Sequence, residues 1–475
     1  MSHENSSGAP HSAAAMPELT KPEAWRALAA LCLGFFMVLM DQTIVAVATP
    51  DIMANFDTEF DQVVWVTSIY LLCMVVPLLF TGRLGDRFGQ GRMFQLGITV
   101  FVLAALAASL APNLTVLLIA RAVQGLGAAI LTPQTMAVIN RVFPQDARGP
   151  ALGVWGAVGS VASLVGPVLG GFIISSFGWR GIFVMHLPLG IAALILSAMW
   201  VPKLPTYARS IDKLSVAVTL LGMTATIISI QQGPGLSWPW WTIVLLVAGL
   251  ALIGWFIRLQ ATAAVRGTEP LVPLVLFKNR NYSLGAFSIS TMGFAVASQM
   301  LPIMMWLQTG RGLTSAEAGL MMVPMAVVAG LGSPLVGPLA DRVKPRILSV
   351  AGFGATALSL IWIAGIMYTD AQLYWMVGAL AFLGIGNALV WAPNSVTTMR
   401  TVDIKHMGAA SGVYNTTRQV GAVVGAAAVG AAMQVGTASL GLNGGLALAL
   451  LFPAVVLVAG LIAVACFENS LNPQK

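Results

Sequence analysis

Charged residues are scarce in this chain of 475 residues. Lys and Arg number 24 and Asp and Glu number 17, together 9% of the sequence, whereas roughly 25% is usual for a soluble domain. Hydrophobic residues supply 57%, and the mean hydropathy of +0.86 is typical of helices surrounded by lipid. This composition excludes a soluble enzyme and predicts an all-α polytopic membrane protein.

Cysteine is also scarce, and the phosphate-binding loop of ATP-driven pumps is absent. The three cysteines lie inside apolar runs, without the paired spacing of a disulfide or a zinc site. The sequence contains no Gly-Lys-Ser or Gly-Lys-Thr, the part of that loop that holds nucleotide phosphates. We therefore expect no metal site, no cofactor and no ATP-driven transport.

Long apolar runs fill most of the chain. A membrane helix needs about 20 apolar residues to cross hydrocarbon roughly 30 Å thick. Fourteen such runs lie near 26–50, 62–81, 93–111, 114–139, 150–176, 181–201, 211–232, 238–258, 282–308, 316–339, 346–368, 371–392, 408–435 and 444–467. They divide the chain into a disordered cytoplasmic N-terminus (1–24), a six-helix half (25–203), two inserted helices (204–260), a cytoplasmic connector (261–281), a second six-helix half (282–467) and a cytoplasmic tail (468–475).

The positive charge collects on one side of the membrane. If the N-terminus is cytoplasmic, all of the 24 Lys and Arg residues fall in cytoplasmic segments except Arg121, Arg180, Arg311 and Arg418. Because cytoplasmic loops are enriched in Lys and Arg, this bias predicts a plasma-membrane protein with both termini in the cytoplasm. It also explains the net charge of +7, so we expect contact with membrane lipid and none with nucleic acid.

The first six helices recur as the last six. A shift of 255 residues places Gly82, Asp86 and Arg87 on Gly337, Asp341 and Arg342. A shift of 259 residues places Gly125, Gly127, Gly166 and Gly171 on Gly384, Gly386, Gly425 and Gly430. Parallel repeats around a central cavity are a transporter architecture, with substrate bound near the midplane. The sequence therefore predicts two pseudo-symmetric halves of six helices, with two further helices inserted between them.

The loop between the second and third helices carries both signs of charge. It reads Gly82-Arg-Leu-Gly-Asp86-Arg87-Phe-Gly-Gln-Gly-Arg92, and its glycines allow a tight turn. Asp86 can accept from a helix N-terminus or a cation, while Arg87 and Arg92 can pair across the boundary between the halves. Simple anchoring at the cytoplasmic surface is the alternative. The second copy at 337–346 favours a gating loop.

Two ionisable residues lie deep inside helices. Asp41 is 15 residues past Arg26, about 22 Å along the first helix and therefore inside the hydrocarbon. A carboxylate there costs about 3 kcal/mol and indicates a functional site by default, one that can bind and release a proton as water access alternates. Arg121 lies at a matching depth in the fourth helix and is the expected partner. The alternatives are a permanently paired, structural Asp41 and an Arg121 that bonds only helix carbonyls.

Small residues crowd the fifth helix around Gly166-Pro167-Val-Leu-Gly170-Gly171. Glycine lets helices approach closely, and Pro167 removes a backbone donor and permits a bend. This pattern predicts a tightly packed helix at a boundary that moves.

Further embedded polar residues are candidates for the substrate cavity. Arg418, 11 residues past Met407, lies near the midplane without an evident acidic partner, so it either lines the cavity or bonds a neighbouring helix. The residues expected at the cavity are Gln42, Asn387, Asn415 and Arg418. His186 either titrates near neutrality or is a hydrogen-bonded structural residue.

These motifs resemble those of the major facilitator superfamily. The loop at 82–92 is similar to its hallmark loop, 118–129 to its arginine motif, 166–171 to the antiporter signature of helix 5, and 40–50 to the helix 1 signature of the fourteen-helix drug:proton antiporters. The resemblance covers most of the chain. It implies proton coupling by Asp41 and Arg121, gating by the loop, and an exchange geometry shaped by helix 5. Unlike its relatives, this sequence has Gln90 and Gly91 where two basic residues are usual, and His186 where Asn is usual.

Three hypotheses follow for the function. The leading one is a monomeric, proton-coupled antiporter that exports lipophilic drugs or dyes, cations among them, from the cytoplasm by alternating access. The same fold can instead export an endogenous lipid or metabolite. An integral membrane lipid-modifying enzyme is the alternative of another class, but the outer loops offer no constellation of metal ligands or nucleophiles.

Overall fold

The computed structural model describes residues 20–206, 212–233, 236–263, 265–268, 270–400, 402 and 407–468, and it is all-helical within them. The long helices are α1 (Lys21–Phe56), α2 (Trp65–Phe88), α3 (Gln90–Ser109), α4 (Leu114–Val142), α5 (Gln145–Phe177), α6 (His186–Trp200), α7 (Lys213–Gln232), α8 (Trp240–Ala261), α9 (Arg280–Met305), α10 (Val323–Arg342), α11 (Pro345–Thr369), α12 (Leu373–Met399) and a last stretch, Met407–Ala465. Short turns of helix cover Phe60–Val63, Gly181–Val184, Leu274–Lys278, Trp306–Gly310 and Ser315–Leu320.

The last stretch is two helices, α13 and α14, which meet at Gly441. Gly441 has a φ of 71°, outside the helical region. A continuous helix of 59 residues would be about 90 Å long, three times the thickness of the hydrocarbon. A break that reverses the chain is therefore required, and glycine is the residue that adopts this backbone without strain.

The helix count agrees with fourteen membrane spans. Within the described residues, eleven helices are long and apolar enough to cross a membrane, or twelve if the two parts of the bent α2 form one span. Dividing the last stretch at Gly441 adds a thirteenth. The helix α5, whose apolar final segment is Val165–Phe177, is the fourteenth. The predicted all-α polytopic fold is confirmed.

The first helix begins at Lys21, inside the stretch 1–24 that the sequence predicts to be disordered. Thr20 and Glu23 form a reciprocal capping box, in which the Thr20 backbone N–H donates to Glu23 Oε2 at 2.9 Å. Such a cap satisfies backbone donors at a helix start and fixes where the helix begins. Residues 1–19 and 469–475 lie outside the described residues.

The two halves pack by one scheme. In the first, α1 packs on α5, and α2 and α3 both pack on α4; in the second, α9 packs on α13, and α10 and α11 both pack on α12. Glycine contacts repeat as well, because Gly125 lies directly against the Tyr70 carbonyl and Gly384 against that of Met325. These pairs are related by the same shifts of 259 and 255 residues. The protein is built from two pseudo-symmetric halves.

The halves meet along a seam of several helix contacts, one of which joins α1 and α9. The helix α2 packs against α13, and α5 packs against α10 and the short helix before it. The inserted helix α7 contacts both α2 and α13, while α8 packs on α7. The inserted pair therefore lies beside the seam.

Candidate functional site

The carboxylate of Asp41 and the guanidinium of Arg121 form a buried ion pair between α1 and α4. Arg121 Nη1 donates to Asp41 Oδ2 at 2.7 Å, and both side chains are 0% exposed. The structure thus brings together the two residues whose depths along their helices match. Removing one partner of such a pair leaves a charge in a medium that solvates it poorly, which is strongly destabilising.

Three neighbours hold this pair in place. Arg121 Nε donates to the Val66 carbonyl at 3.0 Å, and its guanidinium carbon lies 4.1 Å from the centre of the Tyr70 ring. Gln124, one turn further along α4, accepts from Arg121 Nη1 at 2.7 Å and donates to Asp41 Oδ1 at 3.2 Å. Both carboxylate oxygens are therefore occupied, while Arg121 Nη2 is buried and has no hydrogen-bond partner among the described residues.

His186 lies at the same site, on the first turn of α6. Its Nε2 is 3.6 Å from Asp41 Oδ1, beyond ordinary hydrogen-bond length, and the side chain is 0% exposed. Neither ring nitrogen has a hydrogen-bond partner among the side chains and backbone groups that the structure describes. Sequence reasoning treats His186 and Asp41 separately, because depth along α6 does not reveal which neighbouring helix the imidazole faces.

Glycines of α5 press on the turn of α1 that carries Asp41. A Cβ added at Gly166 would collide with Thr43 Oγ1 and lie 3.1 Å from the Met40 carbonyl, and one at Gly170 would lie 2.5 Å from Ile44 Cγ1. Since these neighbours flank Asp41 in sequence, α5 packs directly on the turn of α1 that carries the ion pair.

The same helix touches the other half across the seam. Gly171 packs directly against the Ser315 carbonyl, and a Cβ at Gly319 would lie 2.7 Å from the Pro167 carbonyl. Nearby, Ser315 Oγ donates to Asp51 Oδ2 at 2.9 Å. The segment Gly166–Gly171 therefore links the Asp41 region to the second half, at the end of the bundle opposite the termini.

The hallmark loop is largely helical. The helix α2 continues to Phe88 and α3 starts at Gln90, so Gly89, with a φ of 96°, makes the turn. Asp86 Oδ1 accepts from Arg141 Nη2 at 2.7 Å and from Gln90 Nε2 at 2.9 Å. The described partners of Asp86 thus lie in its own half, on α3 and α4.

The basic residues of this loop differ in their contacts. Arg83 donates to the Pro270 carbonyl in the connector, which is a contact beyond the first half. Arg87 and Arg92 are exposed and form no ion pair with a described acidic residue, so the seam pairing predicted for them is not formed by the residues described. The side chains of Asp341 and Arg342 lie outside the described residues.

The residues expected at the cavity differ in where they lie relative to the seam. Gln42 lines a small pocket between the halves, with Ser68 and Ser298 among its other walls. Asn415 Nδ2 lies 3.5 Å from Met136 Sδ of the first half. Asn387 instead donates to the Leu383 carbonyl of its own helix at 3.1 Å, and so contributes no described contact across the seam.

Arg418 lies on α13, where its guanidinium carbon is 5.8 Å from the centre of the Trp391 ring on α12. It is half-buried. The sequence leaves two alternatives for Arg418, lining the cavity or bonding a neighbouring helix. Within the described part of the chain, its side chain makes no hydrogen bond to a neighbouring helix.

Known proteins similar in sequence are membrane transporters. The family model of the Major Facilitator Superfamily matches residues 31–426. An uncharacterized MFS-type transporter of Mycobacterium tuberculosis is 41% identical over 86% of this chain and 70% of that protein. The multidrug resistance protein Stp of that species is 33% identical over 86% and 75%. The tetracenomycin C resistance and export protein of Streptomyces glaucescens is 28% identical over 91% and 79%.

Solved structures of transporters share the fold. A D-xylose-proton symporter superposes with a TM-score of 0.63 at 14% identity, over 95% of this chain and 98% of that one. An auto-inhibited peptide transporter of the POT family superposes with a TM-score of 0.66 at 14% identity, over 96% and 99%. Together with the family match, these likenesses establish that the chain belongs to the major facilitator superfamily and is a membrane transporter rather than an enzyme.

Proposed function

We propose that the protein is a proton-driven antiporter that exports lipophilic drugs or dyes from the cytoplasm by alternating access. The observation that carries the proposal is the buried cluster of Asp41, Arg121 and Gln124, in which a carboxylate with both oxygens occupied lies on an apolar helix long enough to span a membrane. A membrane-embedded carboxylate on a transport path is well suited to carry a proton.

The cluster supplies a way to couple a proton to movement. While Asp41 is ionised, its attraction to Arg121 holds α1 against α4. A proton on Asp41 removes that attraction, and the described partners that Arg121 keeps are the Val66 carbonyl, the Gln124 amide and the Tyr70 and Phe183 rings. Since α5 contacts the neighbours of Asp41 through Gly166, loss of the ion pair changes how α1 and α5 pack. A group that differs between two states in its interactions shifts the balance between them.

Export as the direction, and drugs as the cargo, rest on other support. The Lys and Arg bias supports termini in the cytoplasm. Relatives include the multidrug resistance protein Stp and the tetracenomycin C resistance and export protein, and a methylenomycin A resistance protein of Bacillus subtilis is 28% identical over 85% of this chain. Export of an endogenous lipid or metabolite on this fold is the second candidate, and competition with the dye distinguishes the two.

The test is transport by purified protein in liposomes with an acidic lumen. Proton-driven antiport predicts that a dye accumulates inside while the lumen becomes more alkaline at a matching rate. The panel contains ethidium, rhodamine 123 and fluorescein, so that one charge type does not decide the result. In Asp41→Asn, accumulation driven by the gradient should disappear, whereas dye exchange without a gradient should persist.

Asp57→Asn is the matched control. Asp57 ends the same helix, is exposed, and has a φ of 48°, a left-handed conformation that Asn tolerates well. It should transport like the unchanged protein. Unaltered gradient-driven accumulation in Asp41→Asn would refute the coupling role of Asp41, and failure of the folded protein to move any dye would favour the endogenous cargo.

A further inference from the structure

Charge inside the described part of the bundle does not balance. Asp41 is the only described acidic residue placed far from a helix end, and Arg121 neutralises it. Arg418 is a second cation at depth, 11 residues past the start of α13. The side chain of Arg418 forms no hydrogen bond or ion pair with any residue that the structure describes. An arginine inside a membrane normally faces a cavity or a partner and marks a functional site.

The surroundings of Arg418 place it inside the bundle, away from lipid. Its stem packs against α9, because a Cβ at Gly293 would lie 3.3 Å from Arg418 Cγ. On the other side, its guanidinium carbon is 5.8 Å from the centre of the Trp391 ring on α12. The half-buried guanidinium therefore lies between α9 and α12 of the second half.

Residues beside Arg418 on α13 reach across the seam. Asn415 Nδ2 lies 3.5 Å from Met136 Sδ, and Gln419 Nε2 lies 3.9 Å from Met74 Sδ. Both sulfurs belong to the first half, so this turn of α13 faces the path between the halves. This part of the seam therefore brings together a cation, an indole ring, two amides and two thioethers.

No described carboxylate competes for this position. Asp41 is 0% exposed, and its oxygens are taken by Arg121 and Gln124. A cationic drug therefore finds no described counter-ion inside the bundle, and it approaches an uncompensated guanidinium. This electrostatic arrangement disfavours the cations that the sequence places among the substrates.

We propose that Arg418, together with Trp391, Asn415 and Gln419, forms the substrate-recognition site for a lipophilic aromatic acid, bound as its carboxylate or phenolate. This inference rests on the proposed export function and names its substrate class. The planar guanidinium can donate two parallel hydrogen bonds to a carboxylate. The Trp391 ring stacks against an aromatic body, and the methionine side chains adapt to its outline.

The test compares two xanthene dyes that share a ring system and differ in charge, the anion fluorescein and the cation rhodamine 123. Their equilibrium binding to the purified full-length protein in detergent is measured by fluorescence anisotropy, and their transport in liposomes by accumulation. The unchanged protein should bind fluorescein at least about tenfold more tightly than rhodamine 123, as expected for a charge-assisted bidentate contact.

Substitutions at the site should separate charge from shape. In Arg418→Gln the preference for fluorescein should disappear, through an approximately tenfold or greater loss of anion affinity with cation affinity unchanged or improved. Arg418→Lys keeps the positive charge but lacks the planar pair of N–H donors, and it should retain part of the preference for fluorescein. The control is Arg258→Gln, because Arg258 is exposed on the inserted helix α8 and should bind both dyes like the unchanged protein.

Binding and transport answer different questions here. Tighter binding of rhodamine 123 than of fluorescein, no fluorescein binding, or unchanged fluorescein binding by a folded Arg418→Gln would each overturn the anion site. Selective fluorescein binding that Arg418→Gln abolishes would support the site even if no proton gradient drives transport. In that last case the antiport proposal fails and the recognition site stands.

Discussion

The two halves share a backbone arrangement and differ in charge. Glycine contacts recur at equivalent positions, as Gly125 against Tyr70 and Gly384 against Met325 show. The polar residues around Asp41 do not recur: shifts of 255 and 259 residues place Tyr70, Arg121 and Gln124 on the buried apolar residues Met325, Leu380 and Leu383. Conversely, the position of Arg418 is occupied by Gly159 in the first half.

This difference shows which features a repeat has to keep. Positions where two helix backbones touch admit only glycine, so they persist in both halves. Side chains that face the interior are free to diverge once the backbone is fixed. Among the described residues, the first half thus has a paired carboxylate, to which we assign the proton, and the second has a cation without a described counter-ion, to which we assign the acid. Proton coupling and substrate recognition are thus assigned to different halves.

The largest effect is expected when the Asp41–Arg121 ion pair of the first half loses its cation. Arg121→Leu leaves Asp41 buried without a cation, and we expect a loss of about 3–5 kcal/mol in the free energy of unfolding together with loss of gradient-driven transport. The double variant Asp41→Asn with Arg121→Leu should recover most of that stability while transport stays uncoupled from the proton. Thermal unfolding in detergent measures the first effect, and a single variant as stable as the unchanged protein would contradict it.

In the second half, an acidic residue introduced beside Arg418 should weaken the binding of an anionic ligand. Trp391→Glu places a carboxylate near the Arg418 guanidinium, which should reduce fluorescein affinity about tenfold because the cation is then paired internally. Trp391→Gln removes the ring without adding charge and should reduce fluorescein affinity by a smaller factor. Equal affinities in the two variants, measured by anisotropy, would mean that the ring rather than the charge governs binding.

Substitutions at two glycines that are equivalent in the repeat should have an effect of intermediate size. Gly166→Ala and Gly425→Ala each force a Cβ into a neighbouring helix, against Thr43 and the Phe294 carbonyl respectively, and each should lower stability by about 1–3 kcal/mol. Only Gly166→Ala disturbs the turn beside Asp41, so only it should change the pH dependence of transport. Gly412→Ala is the control, since a Cβ there meets no atom within 4 Å. A pH profile shifted equally by Gly425→Ala would contradict the division between the halves.

The smallest effect is expected at His186. Its Nε2 is 3.6 Å from Asp41 Oδ1, too far for a hydrogen bond, so His186→Asn should reduce the rate of gradient-driven transport less than about threefold, which is under 1 kcal/mol. A loss above tenfold, with the protein still folded, would instead make the imidazole a direct participant in proton transfer. The proton-efflux assay in liposomes decides between these outcomes.

The sequence predicts the fold and the central ion pair well, because the membrane restricts the possibilities. Apolar length defines the spans, the repeat defines the halves, and a carboxylate such as Asp41 in hydrocarbon requires a partner at equal depth, which identifies Arg121. Contacts that depend on side-chain direction are not predicted this way. Gln124 and Tyr70 are examples, since neither their type nor their depth distinguishes them from other polar and aromatic residues in helices.

The hallmark loop shows another limit of sequence reasoning. Its glycines allow a tight turn within 82–92, yet α2 and α3 continue through nearly all of this segment, in which only Gly89 adopts a positive φ. The helix ends project beyond the hydrocarbon, where polar residues are as compatible with helix as with loop. The partner of Asp86, Arg141, lies 55 residues away on α4, and no local pattern indicates it.

The ion pair also constrains how the chain enters the membrane. Asp41 precedes Arg121 by 80 residues, so at about 5–20 residues per second α1 is made roughly 4–16 s before its partner cation exists. During that interval its carboxylate costs about 3 kcal/mol in hydrocarbon. We therefore expect the first helix to remain beside the insertion machinery until α4 emerges, so that the first four helices enter the bilayer as one unit. Asp41→Asn should shorten this stay, which site-specific crosslinking of arrested nascent chains measures directly.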